Sequence, residues 1–252
     1  MSINLSGNVL SSTNFNSDGE TLNKFYLPDD TLLLNLNATN YTGGGSWYDS
    51  QQGISFGIGG TAPPKTSVNG IPCADFNDSG YFESSTIDGN KVDMRGAYTL
   101  ILIYYHEGFA ARRTIFEKAG TSYSSYQQEL ACTMETSNTI SWYRQYPSYD
   151  YAESKSYTTG AWNMISINGN ADATQGYYYN NGVWTNGYTN RETGNILQSG
   201  AIRVGTGYAG VVQAGYLHAC MVYGVDLSTD KINKIYDYYS NIFGLVGVTL
   251  YR

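Results

Sequence analysis

Residues 98–105 read Tyr-Thr-Leu-Ile-Leu-Ile-Tyr-Tyr. Apolar side chains at consecutive positions leave neither face of an extended chain for water, so this run, continued to His106, predicts a central strand covered on both sides. Working outward, strand-like segments recur at short spacing. They are Leu-Leu-Leu-Asn-Leu-Asn after Thr31, then Pro72 to Phe76, Gly80 to Glu83, Arg113 to Lys118, Glu129 to Glu135 and Thr139 to Arg144. Beyond these come Trp162 to Asn168, Thr174 to Tyr179, Ala201 to Gly205 and Tyr216 to Tyr223. Between Tyr179 and Val183, Asn180-Asn181-Gly182 supplies residues tolerant of positive φ, as a tight hairpin requires. Short strands separated by turn residues predict an all-β sandwich of two antiparallel sheets.

Composition agrees. The 252 residues include 25 Tyr and 29 Gly with only 14% charged residues, a mixture that suits strands and turns better than helices. A formal charge of −7 repels phosphate backbones, so nucleic acid and anionic membrane are poor partners. The first residues, MSINLSGNVLSSTNF, lack the basic start and apolar core of a signal peptide, and no apolar run reaches membrane-spanning length. Cys73, Cys132 and Cys220 each stand in an apolar run and read as reduced core residues, with one buried disulfide as the lesser alternative. The sequons at Asn4, Asn37, Asn40 and Asn77 arise readily by chance in a chain this rich in Asn, Ser and Thr.

Residues 1–30 are polar and carry one weak apolar cluster, Phe25, Tyr26 and Leu27, before Pro28-Asp-Asp. They read as an N-terminal arm preceding a sandwich domain over 31–252, docking on a copy of this chain or on another protein through that trio. Tyr41-Thr-Gly-Gly-Gly-Ser-Trp-Tyr-Asp49 reads as a loop with an aromatic end. One helix is predicted near 229–240. Ser228 is placed to accept from the first-turn amides, Leu227 and Ile232 have staple spacing, and Ile232, Ile235, Tyr236 and Tyr239 share a face before Gly244.

The order of these features resembles the concanavalin A-like (laminin-G-like) domains. Leu-Leu-Leu-Asn-Leu-Asn-Ala-Thr-Asn-Tyr with Trp47-Tyr-Asp49 is followed by Ala74-Asp-Phe-Asn-Asp-Ser-Gly-Tyr-Phe82. Later come Trp162-Asn-Met-Ile-Ser-Ile, the hairpin Gly176-Tyr-Tyr-Tyr-Asn-Asn-Gly-Val, Ile202-Arg-Val-Gly205 and Gly215-Tyr-Leu-His-Ala-Cys-Met-Val-Tyr223. The resemblance runs from about Thr31 to Phe243 and lies in the ordered series. It implies a two-sheet jelly-roll sandwich with one short helix near its C-terminal end. Modules worded in this way look like those on bacteriophage virion proteins. That implies a head decoration protein or a tail- or fibre-associated protein of the virion, made in the host cytoplasm, with a major capsid or tail protein or its own copies as partners.

The same fold hosts glycoside hydrolases, which need two carboxylates about 5 to 9.5 Å apart across the scissile bond. No E-x-D-x-E or E-x-D-x-x-E occurs. Glu129 and Glu135 share a strand, but six residues at roughly 3.3 Å each separate them by about 20 Å. Asp150 and Glu153 read as solvated loop residues. His106 and His218 are isolated and make neither a zinc site nor a triad. For calcium, Asp75-Phe-Asn-Asp78 and Asp88-Gly-Asn-Lys-Val-Asp93 offer carboxylates at Asp75, Asp78, Asp88 and Asp93, and Asx-rich turns without metal carry the same residues. No other cofactor is indicated. The loops Tyr146-Pro-Ser-Tyr-Asp-Tyr151 and Trp184-Thr-Asn-Gly-Tyr188 combine stacking rings with hydrogen-bonding side chains. Tyr146, Tyr149, Tyr151, Trp184, Asn186 and Tyr188 are therefore candidates for binding polysaccharide, and serve equally as protein contacts. The expected order of functions is a non-enzymatic structural virion protein, then a glycan-binding module for host-surface polysaccharide, then a hydrolase.

Overall fold

The computed structural model describes residues 31–77, 80–94, 96–107, 113–119, 128–135, 139–145, 149–151, 155–170, 175–180, 183–189, 200–205 and 215–252. The arm over 1–30, with Phe25, Tyr26 and Leu27, lies outside them. In chain order the first strands are β1 (Leu32–Asn37), β2 (Trp47–Tyr48), β3 (Ser55–Gly59), β4 (Lys65–Val68), β5 (Ile71–Asp75) and β6 (Tyr81–Ser84). The short helix α1 (Thr86–Gly89) precedes β7 (Ala97–His106), β8 (Arg113–Ala119), β9 (Gln128–Glu135), β10 (Thr139–Gln145), β11 (Tyr149–Tyr151) and β12 (Lys155–Ser156). Then follow β13 (Ala161–Asn170), β14 (Gln175–Asn180), β15 (Val183–Thr189), β16 (Ile202–Val204), β17 (Tyr216–Tyr223), α2 (Thr229–Gly244) and β18 (Leu250–Tyr251).

These strands form two nine-stranded sheets. The first runs β15-β14-β13-β7-β17-β5-β4, with β1 also on β17 and β18 beside β13. The second runs β11-β10-β9-β8-β16-β6-β3-β2, with β12 also on β10. Pairing is antiparallel except between β13 and β18. The chain is thus the all-β sandwich that its composition and strand spacing predict.

The apolar run Tyr98 to Tyr105 lies in β7, fourth of seven along its sheet and buried on both faces. Leu100, Leu102 and Tyr104 enter the core between the sheets, while Ile101 and Ile103 join a second core on the outer side. That second core exists because α2 lies across the first sheet, burying Ile232, Ile235, Tyr239 and Phe243 against Trp162, Met164, Met221 and Tyr223. The helix continues past the predicted 240 to Gly244 because Phe243 prolongs the buried stripe. Its start differs from expectation in one respect. Ser228 is the N-cap, in an extended conformation, but its hydroxyl makes no capping bond. The start is fixed by Leu227 instead, buried and donating its N–H to Thr99 Oγ1 at 2.9 Å.

Several segments that read as loops are strands. Trp47–Tyr48 pairs with β3, Tyr149–Tyr151 with β10, and Trp184 to Tyr188 lies wholly within β15. β3 and β4 contain glycine or polar residues without a full alternating pattern, and their partners make them strands. The β4–β5 hairpin turns at Asn69 and Gly70, both with positive φ (53° and 83°), as a two-residue turn matching the strand twist demands. Among the described residues, no helix is long and apolar enough to cross a membrane.

Candidate functional site

The two sheets present unlike outer faces. That of the first sheet is apolar where α2 covers it. That of the second is set by simple alternation: Phe56, Phe82, Ile202 and Val204 point into the core, so Gly57, Gly59, Tyr81, Glu83 and Arg203 lie on the other side.

Register aligns one row across this outer face. Gly57 is opposite Glu83, Glu83 opposite Arg203, and Arg203 opposite Glu117. The row continues through Ala131 and Tyr143 to Tyr151. Within it, Arg203 Nε donates to Glu83 Oε1 at 2.7 Å, and Arg203 Nη1 stands 3.6 Å from Glu117 Oε2. Exposure is graded along the row. Gly57 is exposed, the Glu83 side chain is 32% exposed, Arg203 7% and Glu117 1%.

The open end is flanked by rings. Tyr48 on β2 pairs with Ser55, which shares the outer face with Gly57, and Tyr48 is 62% exposed. Tyr81 lies over Gly59, whose absent Cβ would fall 2.1 Å from the Tyr81 Cζ. A Cβ at Gly57 would meet only the Glu83 carbonyl oxygen, at 3.8 Å. The result is a bare floor between two tyrosines, ending at a carboxylate. None of Tyr48, Glu83, Arg203 or Glu117 stands out in the sequence. The usable signal is the alternation Tyr81-Phe82-Glu83 and Ile202-Arg203-Val204, which puts a charge opposite each core side.

The residues singled out from sequence do not converge. Tyr149 and Tyr151 sit on the edge strand β11 of the second sheet, whereas Trp184, Asn186 and Tyr188 sit on β15 of the first. Register places Trp184 opposite Tyr179 and Asn186 opposite Tyr177. These in turn oppose Ser166 and Asn168, on the side of the first sheet away from the inter-sheet core. Tyr146 and Glu153 lie outside the described residues, and Asp150 is on β11, not in a loop.

Asp75 spends Oδ1 on the Asn77 N–H at 2.8 Å, an Asx turn, and Asn77 Oδ1 accepts from Gly215 N at 2.9 Å. Asp88 lies in α1. It accepts from Lys91 Nζ at 2.6 Å and from Ser85 Oγ at 3.0 Å, and these bonds hold its carboxyl below the usual range. Asp93 is exposed, and Asp78 lies outside the described residues. Among the described residues no three His, Cys, Asp or Glu side chains gather as for a metal ion. Glu129 and Glu135 fall near the two ends of β9, as their spacing requires. His106 and His218 are both buried, and desolvation pushes each down to about 4. The three cysteines are free and buried.

The fold is a two-sheet β-sandwich. No protein-family model matches the chain, and no curated protein is similar to it in sequence. Solved structures do resemble it. Trypanosoma rangeli sialidase in complex with the inhibitor DANA superposes with a TM-score of 0.60 at 12% identity, covering 81% of this chain and 32% of the sialidase. The binding domain of botulinum neurotoxin DC in complex with SialylT gives a TM-score of 0.59 at 13% identity, covering 83% and 52%. The same domain in complex with rat synaptotagmin II gives 0.60 at 12%, covering 84% and 53%. The chain therefore spans about a third to a half of these structures, and at such identities the likeness is one of fold. None of the three is described as a virion component.

Proposed function

We propose that the chain is a non-enzymatic carbohydrate-binding β-sandwich whose binding surface is the open end of the second sheet's outer face. The observation that carries this is the bare Gly57 floor between Tyr48 and Tyr81, ending at Glu83. Exposed rings suit the C–H faces of sugars, and a carboxylate suits their hydroxyls. The fold likeness to a sialidase and to a toxin domain in complex with SialylT supports the reading. A non-enzymatic role is favoured because Glu83 and Glu117 both turn to one guanidinium rather than facing each other across a gap for a glycosidic bond. The resemblance to phage modules supplies the setting, a virion on which the sandwich meets host-surface polysaccharide. The test is isothermal titration of the purified chain with a panel of polysaccharides. Binding lost in Tyr48→Ala, with the melting temperature kept, is the expected result, and a chain that binds none of them overturns the reading.

A second reading is a structural platform contacting other virion proteins or copies of itself. It is favoured by Leu245 and Val246, large apolar side chains that are 67% and 41% exposed just past the end of α2. Loss of particle incorporation in Leu245→Glu with glycan binding intact would mark it out.

A further inference from the structure

If the face binds glycans, the row Gly57–Glu83–Arg203–Glu117 also bears on which glycans it admits, so selectivity rests on the glycan-binding reading. A guanidinium recognises an anionic sugar by offering two N–H groups as a fork. Arg203 is poorly placed to do so. Its Nε is engaged by Glu83 at 2.7 Å, its Nη1 faces Glu117 at 3.6 Å, and its side chain is only 7% exposed. The group that meets solvent in this row is the Glu83 carboxylate.

Glu83 uses Oε1 for Arg203, and no bond to its Oε2 occurs among the described residues. A carboxylate oxygen is an acceptor only, so Oε2 can take hydroxyl donors. Held by a guanidinium, the carboxylate needs little further ordering when a ligand arrives. Tyr48 stands two strands away on the same face, about 10 Å across the strands at their usual spacing and two residues along them, with Ser55 and Gly57 on the intervening strand. That gap accommodates a sugar ring stacked near Tyr48 with its hydroxyls turned to Glu83. A ligand carboxylate in the same place would lie against the Glu83 carboxylate, on a chain of net charge −7.

We propose that this face selects uncharged glycans. A neutral hexose chain is held by Tyr48 stacking and by hydroxyl donation to Glu83, with Arg203 as the positioning residue, and sialylated or otherwise anionic glycans are rejected by Glu83. The contrast is with the solved neighbours, whose described ligands include DANA and SialylT.

The experiment titrates the full chain with dextran, mannan and galactan oligosaccharides, and with lactose beside 3′-sialyllactose, at low and high salt. At least one neutral glycan is expected to bind, with its sialylated or carboxylated counterpart at least tenfold weaker and the gap narrowing as salt screens it. Glu83→Gln, which keeps the shape, is expected to weaken the neutral ligand and to shrink the discrimination severalfold. Arg203→Lys keeps the charge, loses the fork, and is expected to weaken the neutral ligand while leaving the rejection of anions in place. Equal or tighter binding of the anionic glycan, or unchanged binding and selectivity in Glu83→Gln, overturns this inference and leaves the glycan-binding reading standing. No binding of any glycan by the unaltered chain overturns both.

Discussion

The Nδ1–H of His218 donates to the carbonyl oxygen of Pro72 at 2.7 Å, from the extra residue of a bulge between Leu217 and Ala219 on β17. The imidazole lies beneath α2 among Trp162, Tyr239 and Phe243, with ring centroids 5.4 to 6.2 Å away. No charge there rewards protonation, and burial pushes this group down to about 4.

The chain is therefore expected to lose stability with acid. His218 and His106 both titrate at about 4 when folded against about 6.5 when unfolded. Between those values the unfolded state binds more protons, so stability is complete above about pH 6.5 and falls as pH drops towards 4. Each histidine contributes a slope of up to about 1.4 kcal/mol per pH unit. Urea melts from pH 7 to 4 check this, and His218→Phe should remove about half of the histidine-dependent slope.

Helix α2 is held by its buried stripe. Phe243→Ala is expected to cost about 3–5 kcal/mol, since Phe243 is fully buried against Trp162 and His218. Ile87, 78% exposed, should change stability by less than about 0.5 kcal/mol when replaced by alanine. Chemical denaturation of the two variants separates packing from mere apolarity.

Gly205 ends β16 at φ +89°, and an added Cβ would fall 2.2 Å from the Phe76 ring. Gly205→Ala is expected to cost at least about 1–3 kcal/mol, through backbone strain and the displaced ring. A lowered midpoint in denaturant with an unchanged slope is the expected observation.

Arg203→Met leaves Glu117 buried without its guanidinium and should destabilise by about 3–5 kcal/mol. Arg203 and Glu117 exchanged together for Met and Leu should recover much of that loss, as a double-mutant cycle would measure.

Thiol chemistry offers a quick check on the core. Burial pushes Cys73 up to about 12 and raises Cys132 and Cys220 as well. None of the three should react with an aromatic disulfide reagent in the native state, and all three should react in guanidinium chloride.

What could be read directly from the chain is what local chemistry decides. Leu100 to Ile103 is apolar at every turn of the pleat, so only a strand with cover on both faces satisfies it, and α2 and the inter-sheet core provide that cover. The stripe at Ile232, Ile235 and Tyr239 is likewise a local periodicity, legible without any partner. Trp184 to Tyr188 differs, because its turn-like residues become a strand only once β14 supplies hydrogen-bond partners. The aromatic segments ending at Tyr151 and starting at Trp184 both read in sequence as loops, but β11 belongs to the second sheet and β15 to the first. The candidate site is the extreme case. Glu83 and Arg203 meet across 120 residues, and Glu117 joins them only because β6, β16 and β8 are neighbours out of chain order. Periodicity says which face a residue takes within its own strand. Which strands lie side by side, and in what register, is settled by burying the whole core at once, and so the tertiary structure alone brought these three charges together.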